Sequence, residues 1–324
     1  MSDLEGAPEP GGDQTESGQA GLRLGVVPAV DVLEARKAAI GDGTEVRRLL
    51  PQKLLRTVGA WCFLDHFGPD DVSRGMGMQV PPHPHIGLQA ATWLFDGHVL
   101  HRDSLGSQQL IRPGELNLMT SGRGIAHSEE SPRGRPALLH GIQLWIALPD
   151  TDRFTEPGFA HHAQLPVFYE RDATVIVVIG EYRGRESPAR VYSPLAGFEV
   201  TVPLGAGFAL PTRPDFEYAV VAADGPAVVA GANIEPGQMA HLPPGGPAVH
   251  LEPVEGRDPA RFFVIGGEPL GEPLLMWWNF VARTAEEITQ ARDDWGAGRF
   301  EPVRGTQLDP LPAPALPAGR LRPR

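Results

Sequence analysis

Four residues that could bind a metal occur in two pairs. His83 and His85 are two positions apart, and so are His127 and Glu129. In a β-strand residues i and i+2 project to the same side, so each pair would present both ligands together. If the two strands lay side by side, three imidazoles and one carboxylate would converge. This set suits a first-row transition metal, with a position or two left for water, oxygen or substrate.

The His-x-His pair alone is a weak signal. The alternative is two hydrogen-bonded histidines on a strand edge, with His127 and Glu129 forming an ordinary surface pair. The surrounding residues favour the metal site. The apolar run after Gln89 predicts a strand that closes in a turn at Asp96-Gly97, and Pro113-Gly114 supplies a turn that leads into the second pair.

Longer stretches around these residues carry a family resemblance. The spacing of Gly77, His83 and His85 matches the opening of the first cupin motif. Further matching stretches are Phe63-Leu-Asp-His66-Phe-Gly-Pro69, His101-x-Asp103-Ser104-Leu-Gly106, Met119-Thr-x-Gly-Arg-Gly-Ile-x-His127-x-Glu129, His140-Gly-Ile-Gln-Leu-Trp145 and Gly266-Gly-Glu-Pro-Leu-Gly-Glu-Pro273 running into Met276-Trp-Trp-Asn-Phe280. Over roughly residues 23–301 the chain resembles the pirins, a family of bicupin proteins.

The resemblance implies a cofactor and an activity. Pirins match this chain at all four candidate ligands and most often hold iron, so Fe(II) is the expected metal. The donor set itself also accepts Ni, Cu, Mn, Co or Zn. Several pirins are quercetin 2,3-dioxygenases, which cleave the central ring of a flavonol and release carbon monoxide. The implied partners are a flavonol-like aromatic substrate and dioxygen.

The first motif departs from the pirin pattern. Many pirins read His-Pro-His-Arg-Gly-Phe-Glu, whereas Ile86 and Gln89 stand here at the Arg and Glu positions. We expect Gln89 in the substrate pocket, where an amide cannot accept a proton near neutral pH, and Glu129 as the candidate base. His101 and Asp103 either orient a ligand imidazole or only cap a turn.

Two functions of another kind compete with the dioxygenase. Animal pirin is a nuclear coregulator of transcription and some bacterial pirins modulate metabolic enzymes, so the resemblance also implies a metal- or redox-dependent regulator that binds a protein partner. A cupin with a different small-molecule reaction, such as isomerisation, is the third hypothesis.

The composition of the chain argues against several classes of protein. Lys and Arg total 28 against 40 Asp and Glu, and the net charge of −12 works against direct nucleic-acid binding. The single cysteine, Cys62, permits no intrachain disulfide and indicates a reducing compartment. The sequence shows neither a signal peptide nor a membrane-length apolar run. We therefore expect a cytoplasmic protein, and a monomer because closed barrels leave few free edges.

Short apolar runs separated by Gly and Pro turns predict an all-β chain of sandwiches or barrels. With the resemblance, the expected fold is a bicupin: two tandem cupin jelly-roll barrels with a short C-terminal helix. The second barrel has Thr212, Arg213 and Pro214 where the first has His-x-His, so it should bind no metal. The expected segments are a disordered tail (1–21), a metal-binding cupin (22–150), a linker (151–168), a second cupin with the helix (169–301) and an extended or disordered Pro-rich tail (302–324).

One helix is predicted near the C-terminus. Thr284 and Glu287 form a capping box, in which the side chain of each residue accepts the backbone N–H of the other. Ile288, Ala291 and Trp295 then share one face. The other residues that could do chemistry have structural interpretations: His66 and the aromatic residues at 277, 278 and 280 in the core, Arg123 in a salt bridge, 161–162 as a surface pair and His241 in a turn.

Overall fold

The computed structural model of the protein describes residues 30–41, 43–254, 259–319 and 321–323. The predicted disordered tail (1–21) lies outside the described residues. The regular secondary structure of the described residues is almost entirely β-strand, as predicted, with one helix. None of the helical structure described is both long and apolar enough to span a bilayer.

Short strands follow one another along the whole described chain. The first part of the chain forms β1 (Asp31–Glu34), β2 (Arg36–Ile40), β3 (Thr44–Leu50), β4 (Trp61–Asp71), β5 (Gln79–His85), β6 (Leu88–Asp96), β7 (Val99–Asp103), β8 (Gln108–Ile111), β9 (Leu116–Thr120), β10 (Ile125–Glu130), β11 (Leu138–Ala147) and β12 (Gly158–His162). The second part forms β13 (Val167–Tyr169), β14 (Thr174–Ile179), β15 (Glu181–Tyr182), β16 (Arg185–Glu186), β17 (Leu195–Val202), β18 (Phe208–Pro211), β19 (Glu217–Asp224), β20 (Ala227–Val229), β21 (Ala232–Ile234), β22 (Gln238–Leu242), β23 (Ala248–Pro253), β24 (Ala260–Gly267), β25 (Leu275–Trp277) and β26 (Phe280–Ala282), followed by the helix α1 (Ala285–Gly296).

These strands build two barrels of the same design. In the first, a seven-stranded sheet in the order β12-β9-β6-β11-β4-β3-β2 faces a four-stranded sheet in the order β5-β10-β7-β8. In the second, the order β1-β22-β19-β24-β17-β14-β13 faces the order β18-β23-β20-β21. All the pairings in these four sheets are antiparallel, and each barrel therefore has the two-sheet form of a jelly roll.

The two seven-stranded sheets pack against each other through their outer faces. Because side chains alternate along a strand, Leu64 and Trp93 point away from the first barrel and meet residues such as Phe263 of the second in one buried cluster. Polar groups on this face are also paired, since the Trp93 indole N–H donates to Glu199 at 2.7 Å. The residues of this interface are as deeply buried as a barrel core, and the barrels are joined as one body.

Two segments cross the boundaries expected from the sequence. Strand β1 belongs to the segment assigned to the first cupin but pairs with β22 of the second. Strand β12 lies in the expected linker but pairs with β9 and extends the first barrel. There His161 donates to Asn117 Oδ1 at 2.8 Å, so the 161–162 pair is a half-buried strand pair and not a surface pair. Both strands cover sheet edges that would otherwise be open.

The C-terminal segment returns to the first barrel. Strands β25 and β26 form a hairpin whose Phe280 bridges to Ile86 beside the first ligand strand. Gly87 makes this approach possible, because it adopts a positive φ of 69° and any Cβ there would collide with the Val281 carbonyl. The hairpin thus lies against the end of β5, where the sequence places the histidines.

Helix α1 follows the hairpin and packs on it. Thr284 is its N-cap, with the side chain accepting the Glu287 amide proton as predicted, and Ile288 and Ala291 are buried. The reciprocal contact differs from the prediction: the Glu287 carboxylate accepts the amide of Arg283, the residue before the cap. The core role predicted for three aromatic residues is confirmed for Phe280, whereas Trp277 and Trp278 are half-buried and pack against the cluster beneath this helix.

The interdomain face yields a stability prediction. Leu64 is fully buried there, whereas Leu54 is 89% exposed. Leu64→Ala should lower the free energy of unfolding by about 2–5 kcal/mol, because it leaves a cavity between the two sheets. Leu54→Ala, the matched control, should change it by less than about 0.5 kcal/mol. Urea denaturation followed by tryptophan fluorescence measures both, and equal effects would contradict the packing described.

Candidate metal centre

Pairing of β5 with β10 brings the two predicted histidine positions together. His83 lies directly opposite His127, and His85 lies opposite Ile125. The ring centroids of His83 and His127 are 4.4 Å apart, and those of His85 and His127 are 5.0 Å apart. One ring nitrogen from each of the three histidines lies within 4.8 Å of the others, and all three residues are buried. The two-residue spacing of His83 and His85 therefore puts both imidazoles on the same side of β5, next to His127.

Glu129 sits at the edge of this group. A bulge interrupts the β5–β10 pairing between His127 and Glu129. The Glu129 carboxylate forms a second group with His101 and His127, again with ligand atoms within 4.8 Å. Its Oε1 accepts a hydrogen bond from the Thr92 hydroxyl at 2.8 Å. All four predicted ligands line one cavity, but only the three histidines of the predicted set are mutually within that distance.

Two of the imidazoles are oriented by backbone carbonyls. His83 Nδ1 donates to the Pro81 carbonyl at 2.8 Å, and His85 Nδ1 donates to the Asn279 carbonyl at 2.9 Å. A carbonyl can only accept, so each proton resides on Nδ1 and each Nε2 carries a free lone pair. Asn279 belongs to the C-terminal hairpin, which therefore fixes one of the candidate ligands of the first barrel.

The third imidazole is oriented through a chain of side chains. Asp103 Oδ2 accepts the Nε2 proton of His101 at 3.2 Å, which leaves His101 Nδ1 as an acceptor. His101 Nδ1 lies 3.4 Å from His127 Nδ1, which places the His127 proton there and its lone pair on Nε2. Asp103 Oδ1 also accepts the amides of Leu105 and Ser107. The two roles considered for Asp103 therefore coexist: it caps a turn and orients His101.

The resulting lone pairs face each other. Nε2 of His85 lies 3.1 Å from Nε2 of His127, and the hydrogen bonds just described leave a proton on neither atom. Two nitrogens bound to one metal at about 2.1 Å and at right angles are about 3 Å apart. The two Nε2 atoms thus carry no proton and have the spacing that a shared metal ion requires. The residues fit a metal ion.

The electrostatics of the site agree with this fit. Burial lowers the pKa of His83 to about 4 and holds the pKa values of His85 and His127 well below their ordinary value. The imidazoles are therefore neutral near pH 7, the form that binds metals. Burial raises the pKa of the Glu129 carboxyl, because desolvation of the charged form outweighs the opposing effects of His101 and of the hydrogen bond from Thr92. A bound cation would offset that desolvation.

The cavity around these ligands has a volume of about 380 Å³. Phe63 and Trp145 stack in its wall with centroids 4.0 Å apart and an interplanar angle of 14°. Arg48 lies over the Phe63 ring at 4.5 Å and donates two hydrogen bonds to Asp65, at 2.6 and 2.7 Å. Trp278 of the hairpin also lines the cavity. Aromatic side chains therefore line the same cavity as the four candidate ligands.

Sequence reasoning did not identify most of these wall residues. Arg48, Gln143 and the Asp65 carboxylate carry no spacing signal of their own, and Trp278 was interpreted only as a core residue. The signal that was available is their position in the stretches shared with pirins around residues 63–69 and 140–145. Their convergence depends on tertiary pairing of β3, β4 and β11.

Gln89 was expected in the pocket, and the structure places it elsewhere. Its Nε2 donates to Thr120 Oγ1 and to the Arg190 carbonyl, both at 3.0 Å, on the side of β6 that faces the second barrel. Gly87, with its positive φ, separates β5 from β6, so the alternation that puts His83 and His85 on one side of β5 does not continue to Gln89. Thr92, three residues later, projects into the first barrel instead and contacts Glu129.

Two further residues have the structural roles predicted for them. His66 is fully buried, with its Nε2 2.7 Å from Nε2 of His140. Arg123 forms an exposed ion pair with Glu156. Neither residue lines the histidine cavity.

The second barrel differs from the first at the equivalent positions. Within the described ranges, the groups of three or more metal-binding side chains are confined to the first barrel. His241 was predicted in a turn but lies in strand β22, where its Nε2 is 3.1 Å from Glu217. Thr212 bonds to the backbone of Gly246, and Arg213 pairs with Asp215.

Comparison with known proteins places the fold and the site in context. Residues 43–146 match the family described as Pirin, and residues 197–301 match the Pirin C-terminal cupin domain. A Pseudomonas aeruginosa protein, provisionally named quercetin 2,3-dioxygenase, is 44% identical over 285 residues, covering 88% of each chain. A pirin-like protein of Caulobacter vibrioides is 39% identical over 277 residues, covering 83% of this chain and 94% of its own.

Solved structures show the same bicupin architecture. The crystal structure of quercetin 2,3-dioxygenase from Acinetobacter baumannii is similar with a TM-score of 0.86 and 42% identity, covering 91% of this chain and 97% of that chain. An Escherichia coli pirin in complex with nickel(II) is 16% identical with a TM-score of 0.57, over 75% of this chain and all of the other, and shares the fold.

The position of Gln89 can be tested. Gln89→Ala removes the donor to Thr120 and to the Arg190 carbonyl, and should lower the free energy of unfolding by about 1–3 kcal/mol. The metal content after reconstitution should stay that of the wild type, because the side chain lies outside the cavity. Urea denaturation and metal analysis by mass spectrometry measure the two quantities. A loss of metal with unchanged stability would contradict this placement.

Proposed function

The chain belongs to the pirin family, and we propose that it is a metal-dependent dioxygenase that cleaves the central ring of flavonol-type substrates. The proposed ligands of one divalent transition metal are His83, His85, His127 and Glu129. Fe(II) is the first choice, and a set of three imidazoles and a carboxylate also accepts Ni, Cu, Mn, Co or Zn. The bound metal would supply Lewis acidity and open positions at which dioxygen and a substrate oxygen meet.

One observation carries the proposal: the free Nε2 lone pairs of the histidines point into a cavity with an aromatic wall. Its volume of about 380 Å³ falls within the usual range for small-molecule sites. The stacked rings of Phe63 and Trp145 give this cavity an aromatic wall. In the proposal a planar flavonol occupies the cavity with its hydroxyl and keto oxygens directed at the histidines.

The proposed reaction balances without a further reductant. Both atoms of dioxygen enter the product, the flavonol ring opens to an ester of two aromatic acids, and the ring carbon that carried the hydroxyl leaves as carbon monoxide. The substrate hydroxyl must first lose its proton. We assign this proton to the Glu129 carboxylate, whose Oε1 is already held by Thr92. Because Gln89 lies outside the cavity, the absence of a carboxylate there removes no base from the site.

A second candidate function has one specific observation in its favour. His85 is held by the Asn279 carbonyl in the hairpin that supports helix α1. A change in the metal bound at His85 would therefore shift the position of the hairpin and of helix α1, which has an exposed side. In this alternative the chain is a metal- or redox-dependent regulator that binds a protein partner through that segment.

The deciding experiment is anaerobic reconstitution with Fe(II) followed by addition of quercetin in aerated buffer. The dioxygenase proposal expects oxygen uptake together with loss of the flavonol absorbance, and release of carbon monoxide. His127→Ala removes a ligand and should abolish both signals and most of the bound iron. A wild-type protein that holds one iron per chain and leaves quercetin unchanged would sink the dioxygenase proposal and favour the regulatory alternative.

The role of His101 gives a separate prediction. His101→Phe keeps the stacking on Phe159, whose ring lies at 4.4 Å, but removes the acceptor for the His127 proton. Metal affinity should fall about 10–100-fold, as for other residues that orient metal ligands. Competition titration against a chelating dye measures it. The same substitution at the exposed His250 is the control, and equal affinities for the two variants would contradict the orienting role.

A further inference from the structure

A segment outside the family domain contributes to the candidate metal cavity. The match to the Pirin C-terminal cupin domain ends at residue 301, and the chain continues for more than twenty residues. The described part of this tail, predicted to be extended or disordered, has no regular secondary structure and is bonded to the rest of the protein. It runs from Gly305, which lies beside Arg102 of β7, across to helix α1. Leu311, at the centre of the tail, lines the cavity together with the histidines.

Both backbone groups of Leu311 are bonded to the body of the protein. Its N–H donates to the Pro82 carbonyl at 2.9 Å, and its carbonyl accepts the Trp295 indole N–H at 2.7 Å. Pro82 directly precedes His83, so the tail is fixed to the strand that carries the first candidate ligand. The position of the Leu311 side chain is thereby set relative to the metal site from two directions.

The residues that follow extend this attachment. Arg292 of α1 donates to the Pro314 carbonyl at 3.0 Å, and Leu316 and Leu321 pack on the cluster beneath the helix. Prolines at 310, 312, 314 and 317 restrict the free chain, which lowers the entropy lost when the tail docks. The tail therefore forms a stable part of the cavity wall.

We propose that the C-terminal tail sets the size of the molecules that reach the metal, and that Leu311 is the specificity-determining residue. This inference rests on the proposed function, because it concerns the ligands admitted to the same cavity. Elsewhere the wall holds the Phe63–Trp145 stack, the Arg48–Asp65 ion pair and aliphatic residues such as Ile40 and Val80, which belong to strands of the barrel. Leu311 belongs to the segment that follows the matched domain, so its volume can change without disturbing a strand or those contacts.

The test uses two probes with one chelating group and different sizes. Full-length protein loaded with Co(II) is titrated with maltol and with 3-hydroxyflavone, which share a hydroxypyranone but differ by the aromatic rings. The visible absorption of the cobalt reports binding without turnover. Leu311→Trp should weaken binding of 3-hydroxyflavone about tenfold or more and leave maltol within about twofold, because only the larger probe meets the added ring.

A second variant covers the case in which the larger residue is not tolerated. Leu311→Ala should strengthen binding of 3-hydroxyflavone relative to maltol by about threefold or more. Leu308→Trp is the matched control, since Leu308 lies in the same tail but lines the groove beside α1 and not the histidine cavity. It should leave the ratio of the two affinities unchanged.

The outcomes separate the two proposals. If both probes bind and the Leu311 variants leave their affinity ratio at the wild-type value, the specificity role is wrong while the proposed function stands. If neither probe binds any variant that holds cobalt, the proposed substrate class and the role of Leu311 fail together. A shift of the ratio in the Leu308 variant equal to that in the Leu311 variants would also overturn the assignment to Leu311.

Discussion

The candidate site depends on one constraint: a buried imidazole must use its one N–H and leave its other nitrogen free. The pairing of β5 with β10 sets His83 opposite His127. Three separate acceptors then hold the Nδ1 protons of the three imidazoles in hydrogen bonds. The lone pairs of the His85 and His127 Nε2 atoms are left 3.1 Å apart. Two facing lone pairs at this distance repel each other, and a bound metal ion would accept both of them.

The two barrels share a design and divide its uses. In the first, the strand positions that face inward hold ligands and an open cavity. In the second, Thr212 follows β18 and bonds to the backbone of Gly246, and the interior is an apolar core. The second half of the chain nevertheless serves the site, because its hairpin and tail supply Asn279, Trp278 and Leu311. The two barrels thus share a design and differ in what their interiors hold.

The all-β class was predictable from short apolar runs separated by Gly and Pro turns, and the shared side of His83 and His85 from the period of two along a strand. Gln89 was expected in the pocket because it stands at the Glu position of the pirin motif, but the positive φ of Gly87 separates β5 from β6 and the Gln89 side chain bonds outside the cavity. The placement of β1 and β12 was not predictable, since a short strand carries no signal for which sheet edge it will cover. The wall residues Asp65 and Trp278 were missed for a similar reason, as long-range pairing brings them to the cavity.

The contact between His85 and Asn279 also sets an order of events in the cell. The two residues are 194 positions apart, and at about 5–20 residues per second the ribosome needs about 10–40 s to add that stretch. During this interval the strands of the first barrel have emerged, but one imidazole lacks its acceptor and the cavity lacks the walls made by the hairpin and the tail. The cavity as described therefore cannot form before residues as late as Leu311 have been added, long after the strands that carry the candidate histidines.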